Sequence, residues 1–287
     1  MTLLDVRHLT KRYESFALDD VSFSLEPGYI MGFVGRNGAG KTTTLKAIMN
    51  LVRPDSGTVA VLGRDFRTHE LELKQDIGFM LGGFGYHPRT PVARLTDTYR
   101  RFYDRWDEKA YRTYLAHFDL DETKTVEQLS SGMKVKYALA LALSHGARLL
   151  MLDEPTSGVD PVSRDEVLDL FRAVIENGER SILFSTQITS DLDKCADYIT
   201  YIADGRLVAS KEKDDFVNEY RIVKGTRVQL TDDVKTRLVG YKQNDLGFTG
   251  LMKTDSVPAE SNLVVEPADI EAIMIYHERV DRPMLEG

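Results

Sequence analysis

The 287-residue chain has a single cysteine, Cys195, a single tryptophan, Trp106, and no apolar run near the roughly 20 residues that cross a bilayer. One thiol excludes an internal disulfide framework. Without companion Cys and His residues at ligand spacing it also excludes a thiolate zinc site, which suits a reducing compartment. Cys195 is expected to be a small core residue. The opening stretch MTLLDVRHLTKRYE lacks the long apolar segment of a secretory signal, so the chain is expected to be soluble or held at a membrane by a partner. Positive charge is also in short supply. Lys and Arg number 37 against 45 Asp and Glu, a formal charge of −8, which disfavours electrostatic capture of nucleic acid by the chain as a whole. Low-complexity tracts and internal repeats are missing too. A hydrophobic content of 42% still allows a full core, either in one large domain or in a large and a small one.

What is present concentrates early. Gly35-Arg36-Asn37-Gly38-Ala39-Gly40-Lys41-Thr42 fits the pattern G-x-x-x-x-G-K-[ST] and follows an apolar run at 29–34 that reads as a buried strand. Glycines let the backbone wrap an anion with its N–H groups, and a helix starting near Gly40 would point its positive end at phosphates. In such a loop Lys41 reaches the β- and γ-phosphates and the Thr42 hydroxyl sits on Mg²⁺. A glycine-rich turn capping a helix uses the same residue types, so partner motifs have to decide between the two.

Around this loop the chain reads as α/β. Residues 2–9 and 18–25 alternate apolar with polar positions and predict an N-terminal antiparallel sheet. Residues 40–51 predict a helix, closed by the turn Arg53-Pro54-Asp55-Ser56-Gly57, and 57–63 a returning strand. Residues 92–144 are mainly helical in pattern and interrupt the series as an inserted subdomain, about 88–145. Strands at 148–152, 180–184 and 198–203 then alternate with helices at 161–177 and from Ser190, which implies a parallel sheet with crossover helices. Beyond that the character changes. Residues 227–230 and 263–265 read as short alternating pieces, and Pro267-Ala268-Asp269 opens a helix with Ile270, Ile273, Met274 and His277 on one face. The expected architecture is an α/β phosphate-loop NTPase core with an N-terminal antiparallel β subdomain and an inserted helical subdomain over 1–213, followed by a small C-terminal α+β domain over 214–287.

Leu149-Leu150-Met151-Leu152-Asp153-Glu154 is an apolar run ending in two acids, as expected where a buried strand delivers carboxylates to a phosphate site. Asp153 is expected to hold Mg²⁺, usually through water. Glu154, one residue on and so on the other side of the strand end, would act as general base on the attacking water. Between the two motifs lies Leu129-Ser130-Ser131-Gly132-Met133, which by itself is a serine-capped helix start.

Taken in order, these motifs resemble the ATP-binding-cassette ATPases, whose signature L-S-G-G-Q stands between the phosphate loop and the acidic strand. The resemblance covers roughly residues 2–212 and includes Tyr13, where the family has an aromatic under the adenine, and Ser157-Gly158-Val159-Asp160, the loop that crosses its dimer. It implies an ATPase using ATP and Mg²⁺, with ATP bound by residues 35–42 and Thr43 and the metal by Thr42 and Asp153. It also implies a head-to-tail homodimer, or a pair with a second nucleotide-binding subunit. In that pair Ser130 and the backbone around Gly132 of one chain meet the γ-phosphate held by the other, with Asp160 at the junction. A core position for Tyr13 stays open.

The family's transporters work through an integral membrane permease, which would hold this chain at the cytoplasmic face of the membrane, with no nucleic acid as partner. A single cassette with a modest tail is most similar to subunits of small bacterial exporters, including those for antimicrobial agents or cytolytic peptides. The zone expected to meet the permease holds Arg94, Tyr99, Arg100, Arg101, Phe102, Tyr103, Arg105 and Trp106, of which Tyr99, Phe102 or Tyr103, and Trp106 fall at helical spacing.

Two positions depart from the family. Gln187 stands where a histidine usually contacts the γ-phosphate, and glutamine can donate a hydrogen bond but carries no charge near neutral pH. Gly82 stands where the family commonly has a glutamine that touches Mg²⁺ and water, in a glycine-rich segment, Gly82-Gly83-Phe84-Gly85, expected to be mobile. Gln187 is therefore assigned a catalytic place with slow hydrolysis. A hydrolysis-impaired regulatory subunit and a soluble mechanical ATPase outside transport remain as alternatives.

Overall fold

The structure is a computed structural model and describes residues 2–82, 87–258 and 262–278. The expected mobility of the glycine-rich segment falls, from Gly83 on, outside the described residues. Contacts divide the chain into two compact units, 1–210 and 211–287.

The first unit opens with β1 (Leu4–Arg12) and β2 (Ala17–Leu25), paired antiparallel with Leu4 opposite Leu25. After β3 (Ile30–Val34), α1 (Lys41–Ile48), β4 (Ser56–Val61) and β5 (Arg64–Asp65) follow, and β4 and β5 complete a sheet of order β2-β1-β4-β5. Next come α2 (Glu70–Lys74) and β6 (Ile77–Met80), and then the helical insertion of α3 (Val92–Tyr99), α4 (Glu108–His117) and α5 (Ser131–Ser144). The unit continues through β7 (Leu149–Asp153), α6 (Pro161–Ile175), β8 (Ser181–Thr186), α7 (Thr189–Cys195), β9 (Tyr198–Ala203) and β10 (Arg206–Glu212).

The central sheet has the order β10-β9-β3-β8-β7-β6, and its pairs from β9 through β6 are parallel. All residues of β3, β7 and β8 are buried, which explains their continuous apolar runs: crossover helices leave no solvent face to alternate toward. The strand order decides where the chemistry lies. β8 sits between β3 and β7, with Val34 opposite Thr186 and Asp153 opposite Ser185. The phosphate loop, Gln187 and Glu154 therefore leave the sheet side by side at the carboxyl ends of three neighbouring strands, where open α/β sheets bind ligands.

In the helical insertion the aromatic residues do not share one helix as their spacing predicts. α3 stops at Tyr99 and a 3₁₀ turn takes Arg100–Phe102, so Tyr103 and Trp106 lie beyond it. Burial against His145 overrides the periodicity. The Tyr103 ring stacks on that imidazole at 3.7 Å between centroids, and Tyr99 Oη lies 3.2 Å from its Nε2.

The second unit holds α8 (Lys213–Asn218), β11 (Tyr220–Thr226), α9 (Asp232–Arg237), β12 (Leu238–Gln243), β13 (Gly247–Lys253), β14 (Val264–Pro267) and α10 (Ile270–His277). Its antiparallel sheet has the order β12-β13-β11-β14, and α10 buries Ile270, Ile273 and Met274. The extended piece expected at 227–230 is instead a 3₁₀ turn, Arg227–Gln229. Here local hydrogen bonding wins over alternation: the Gln229 amide oxygen accepts from Thr226 N at 2.7 Å, closing a capping box. Among the described residues no helix is long and apolar enough to cross a membrane.

Candidate active site

The phosphate loop keeps its shape because none of its three glycines can be replaced without strain. A Cβ on Gly35 would lie 2.3 Å from the Ile202 carbonyl oxygen, and Gly40 sits at φ 115°, where L side chains are disfavoured, with the Phe16 ring 3.0 Å from any added Cβ. Arg36, Asn37 and Gly38 form an exposed lip, whereas Ala39 and Gly40 are buried and Thr43 is half-buried. Lys41 lies almost fully buried beneath them. Its ammonium donates to Gly35 O at 2.7 Å and Arg36 O at 3.2 Å and pairs with Glu154 Oε1 at 3.2 Å.

The two acids take different partners on the same loop. Thr42 Oγ1 donates to Asp153 Oδ2 at 2.9 Å, Ser185 Oγ to Asp153 Oδ1 at 2.6 Å, and Gly82 N approaches Oδ2 at 3.4 Å. Strand alternation would send Glu154 to the opposite side, but it does not. β7 ends at Asp153, and Glu154 adopts a left-handed φ of 49°, which swings its carboxylate to Lys41 beside Thr42. Glu154 Oε2 is buried with no hydrogen-bond partner among the described residues. Buried polar atoms normally find partners, so an orphaned carboxylate oxygen beside a phosphate loop marks a place for an additional polar group. Gln187 is exposed immediately after β8.

The other expected residues lie apart from these acids in sequence and in element. Ser130 is exposed at the start of α5 and accepts from Met133 N at 3.2 Å as its cap. Gly132 is buried where a Cβ would come within 2.9 Å of Ser163 Cβ, so glycine there lets α5 approach α6. Asp160 caps α6, accepting from Val162 N at 3.2 Å and Ser163 N at 3.1 Å, and the Ser163 bond holds its carboxyl below the usual range. Tyr13 is 47% exposed, with the Lys11 ammonium 5.7 Å from its ring centroid, which settles that it is not a core aromatic.

Two neighbours of the expected site residues escaped sequence reading. Ser185 touches both acids, and its only signal was a hydroxyl inside an apolar strand. Asp191, fully buried, accepts from Thr156 Oγ1 at 2.6 Å, Arg164 Nε at 2.5 Å and Thr186 Oγ1 at 3.3 Å, joining the segments around Gln187 and Asp160. Two of these partners, Arg164 and Thr156, are 27 and 35 positions away in the chain, a separation that no local pattern displays. Among the described residues no three His, Cys, Asp or Glu side chains gather as a metal cage.

Residues 18–157 match the profile of the ABC transporter family. The ABC transporter ATP-binding protein YtrB of Bacillus subtilis is 30% identical over 243 residues, spanning 84% of this chain and 81% of its own length. This chain belongs to the ABC transporter family. The bacitracin transport ATP-binding protein BcrA of Bacillus licheniformis is 30% identical over 253 residues, 85% of this chain and 80% of that protein. A solved ATP-binding subunit of an ABC transporter superposes with a TM-score of 0.66 at 25% identity, covering 74% of this chain and 91% of that one. A nucleotide-free ATP-binding cassette gives the same TM-score of 0.66 at 20% identity, over 76% and 94% of the two chains, and supports the fold alone. The α/β core is thus that of an ABC ATPase, and the chain is an ATP-binding, ATP-hydrolysing subunit of a transporter.

Proposed function

We propose that this chain drives export through a separate membrane permease by closing and opening a head-to-tail pair of nucleotide-binding units. One observation carries the reading. The Lys41, Thr42, Asp153 and Glu154 cluster is assembled within one chain, whereas the Ser130 hydroxyl at the head of α5 is exposed, with the Met133 amide as its partner among the described residues. A helix start of this kind offers N–H groups to an anion, and the phosphate it would meet belongs to the facing chain.

In this reading the backbone of residues 35–42 and Thr43 cradles the phosphates, while Tyr13 stacks on the adenine. Lys41 exchanges its loop carbonyls and Glu154 for the β- and γ-phosphates. Glu154, released from Lys41, takes the proton of a water whose oxygen attacks the γ-phosphorus. The bond to the β-phosphate oxygen breaks, and ADP departs with that electron pair. Thr42 and Asp153 are a hydroxyl and a carboxylate, the hard donors that fit Mg²⁺, and when bound the ion would offset charge on the phosphate oxygens. Gln187 donates an amide hydrogen toward the γ-phosphate but supplies no positive charge, so hydrolysis is slow. Asp160 lines the junction between the two chains.

The docking face for the permease is supported by Leu71, 83% exposed, and Phe102, 69% exposed, on segments tied by a bond from Gln75 Nε2 to Phe102 O at 2.8 Å. Exposed Arg94, Arg100, Arg101 and Arg105 rim it. Bacitracin transport is what one relative's name states, and the matching cargo class here is an antimicrobial agent or peptide. The chain would sit at the cytoplasmic face of the membrane.

Phosphate release by the chain alone and with its permease, each beside a Glu154→Gln control, tests this reading. ATP-dependent pairing of Glu154→Gln in size-exclusion chromatography is the expected companion result. Absence of Glu154-dependent hydrolysis in both settings would favour the regulatory subunit that Gln187 and Gly82 also fit.

A further inference from the structure

Between the two acids lies a hydroxyl that the mechanism above does not use. We propose that Ser185 is a positioning residue for hydrolysis, whose single hydroxyl orients the metal-facing carboxylate of Asp153 and holds the backbone turn that aims Glu154. This rests on the roles assigned to Asp153 and Glu154 above.

Ser185 is fully buried on β8 and is the direct strand partner of Asp153. The bonding around its Oγ has one solution. A carboxylate only accepts and a backbone N–H only donates, so Ser185 Oγ donates to Asp153 Oδ1 at 2.6 Å and accepts from Glu154 N at 2.9 Å. With Oδ1 engaged, Asp153 presents Oδ2 to Thr42 Oγ1 at 2.9 Å, on the side where a metal would be held. Without the hydroxyl, the carboxylate keeps its bonds at Oδ2 but loses the one that fixes Oδ1.

The second consequence concerns Glu154. Its φ of 49° is a left-handed conformation that disfavours a long side chain by roughly 1–2 kcal/mol. Two bonds from its amide, to Ser185 O at 3.1 Å and Ser185 Oγ at 2.9 Å, hold it there. From that turn Glu154 Oε1 reaches Lys41 at 3.2 Å while Oε2 stays buried, with no hydrogen-bond partner among the described residues. One hydroxyl therefore sets both the metal side and the base side of the site. A serine that served packing alone would show its effect in stability and not in metal dependence.

Ser185→Thr and Ser185→Val test this, because the two replacements share a shape and differ by a hydroxyl against a methyl. Losing a hydrogen bond to a charged group predicts that kcat of Ser185→Val falls about ten- to a hundredfold, with the Mg²⁺ concentration for half-maximal rate rising several-fold. The KM for ATP is expected to stay within about twofold. Ser185→Thr is expected to recover most of the rate and the parent Mg²⁺ dependence. Binding of a fluorescent ATP analogue with and without Mg²⁺ gives a readout apart from turnover: the gain in affinity on adding Mg²⁺ shrinks in Ser185→Val and persists in Ser185→Thr. Equal kcat and equal Mg²⁺ response in the two variants would overturn the proposal, as would a shared loss that tracks a shared fall in unfolding temperature. If the parent shows no Glu154-dependent turnover, the hydrolysis reading fails separately, and the Mg²⁺-linked gain in affinity still decides the role of Ser185.

Discussion

The phosphate-loop half of the site and the α5 half are built on opposite principles. Lys41, Asp153 and Ser185 are buried and hydrogen-bonded, and Glu154 Oε2, without a hydrogen-bond partner among the described residues, stands out against them. At Ser130 the helix start is exposed, and its cap is satisfied within its own first turn. The far end of the same helix is different again: His145 is fully buried, stacked on Tyr103, with Nδ1 3.2 Å from Gln75 O. One half of the machinery is thus pre-organised by burial, whereas the other is a rigid helix anchored at its back and open at its front. In the proposed head-to-tail pair, a group that acts on the partner's phosphate has to be open at its own surface.

The largest effect that would break this contrast comes from the buried half. Lys41→Ala and Glu154→Gln are each expected to lower phosphate release by about a hundredfold or more, the scale of a lost general base or phosphate clamp. A rate within a few-fold of the parent would remove the half-site from catalysis.

Next is the anchored end of α5. Burial, aided by the neighbouring Arg105 charge and resisted by the Gln75 carbonyl and Asp76, pushes the His145 imidazole down to about 4 from 6.5. The unfolded chain therefore takes up this proton first as pH falls. Stability from neutral His145 is complete above about pH 6.5, is lost between there and pH 4, and changes no further below. The expected loss between pH 7 and pH 5 is ~2 kcal/mol. His145→Gln flattens that slope in urea titrations at the two pH values, and an unchanged slope would show that the helix end is not anchored through this ring.

A smaller change sharpens the contrast at the γ-phosphate. Gln187→His is expected to raise turnover about tenfold, as a group able to carry charge beside phosphate would, and an unaltered rate would show that Gln187 does not limit hydrolysis. The smallest expected effect is at the open half. Ser130→Ala removes the cap of α5 and should lower stability by about 1 kcal/mol in chemical denaturation, while leaving ATP binding by the phosphate loop of the same chain intact. Lost binding would place Ser130 in its own chain's site instead of its partner's.

Much of the first unit was legible because its elements follow local rules. Fully apolar runs became central parallel strands, β1 and β2 alternated toward one face, and Gly35 to Thr42 needed only its glycines and its lysine to be recognised. Where reading failed, a local or long-range bond had displaced periodicity. Thr226 and Gln229 closed a capping box where alternation predicted a strand, and His145 drew Tyr103 off the helix that its spacing predicted. The side taken by Glu154 was misjudged because alternation assumes that the strand continues, and a left-handed turn ends it.

By itself the sequence determined which chemistry this chain holds: a phosphate-wrapping loop, an acidic strand end and a helix start between them, each written in contiguous residues because each depends on local backbone geometry. Only the tertiary structure decided how these act together. The strand order β3, β8, β7 sets three loops side by side, and Ser185, 31 residues from Glu154 in the chain, ties the two acids with one proton and one lone pair. Hydrogen bonds across a sheet depend on register between distant strands, and register is a property of the folded chain.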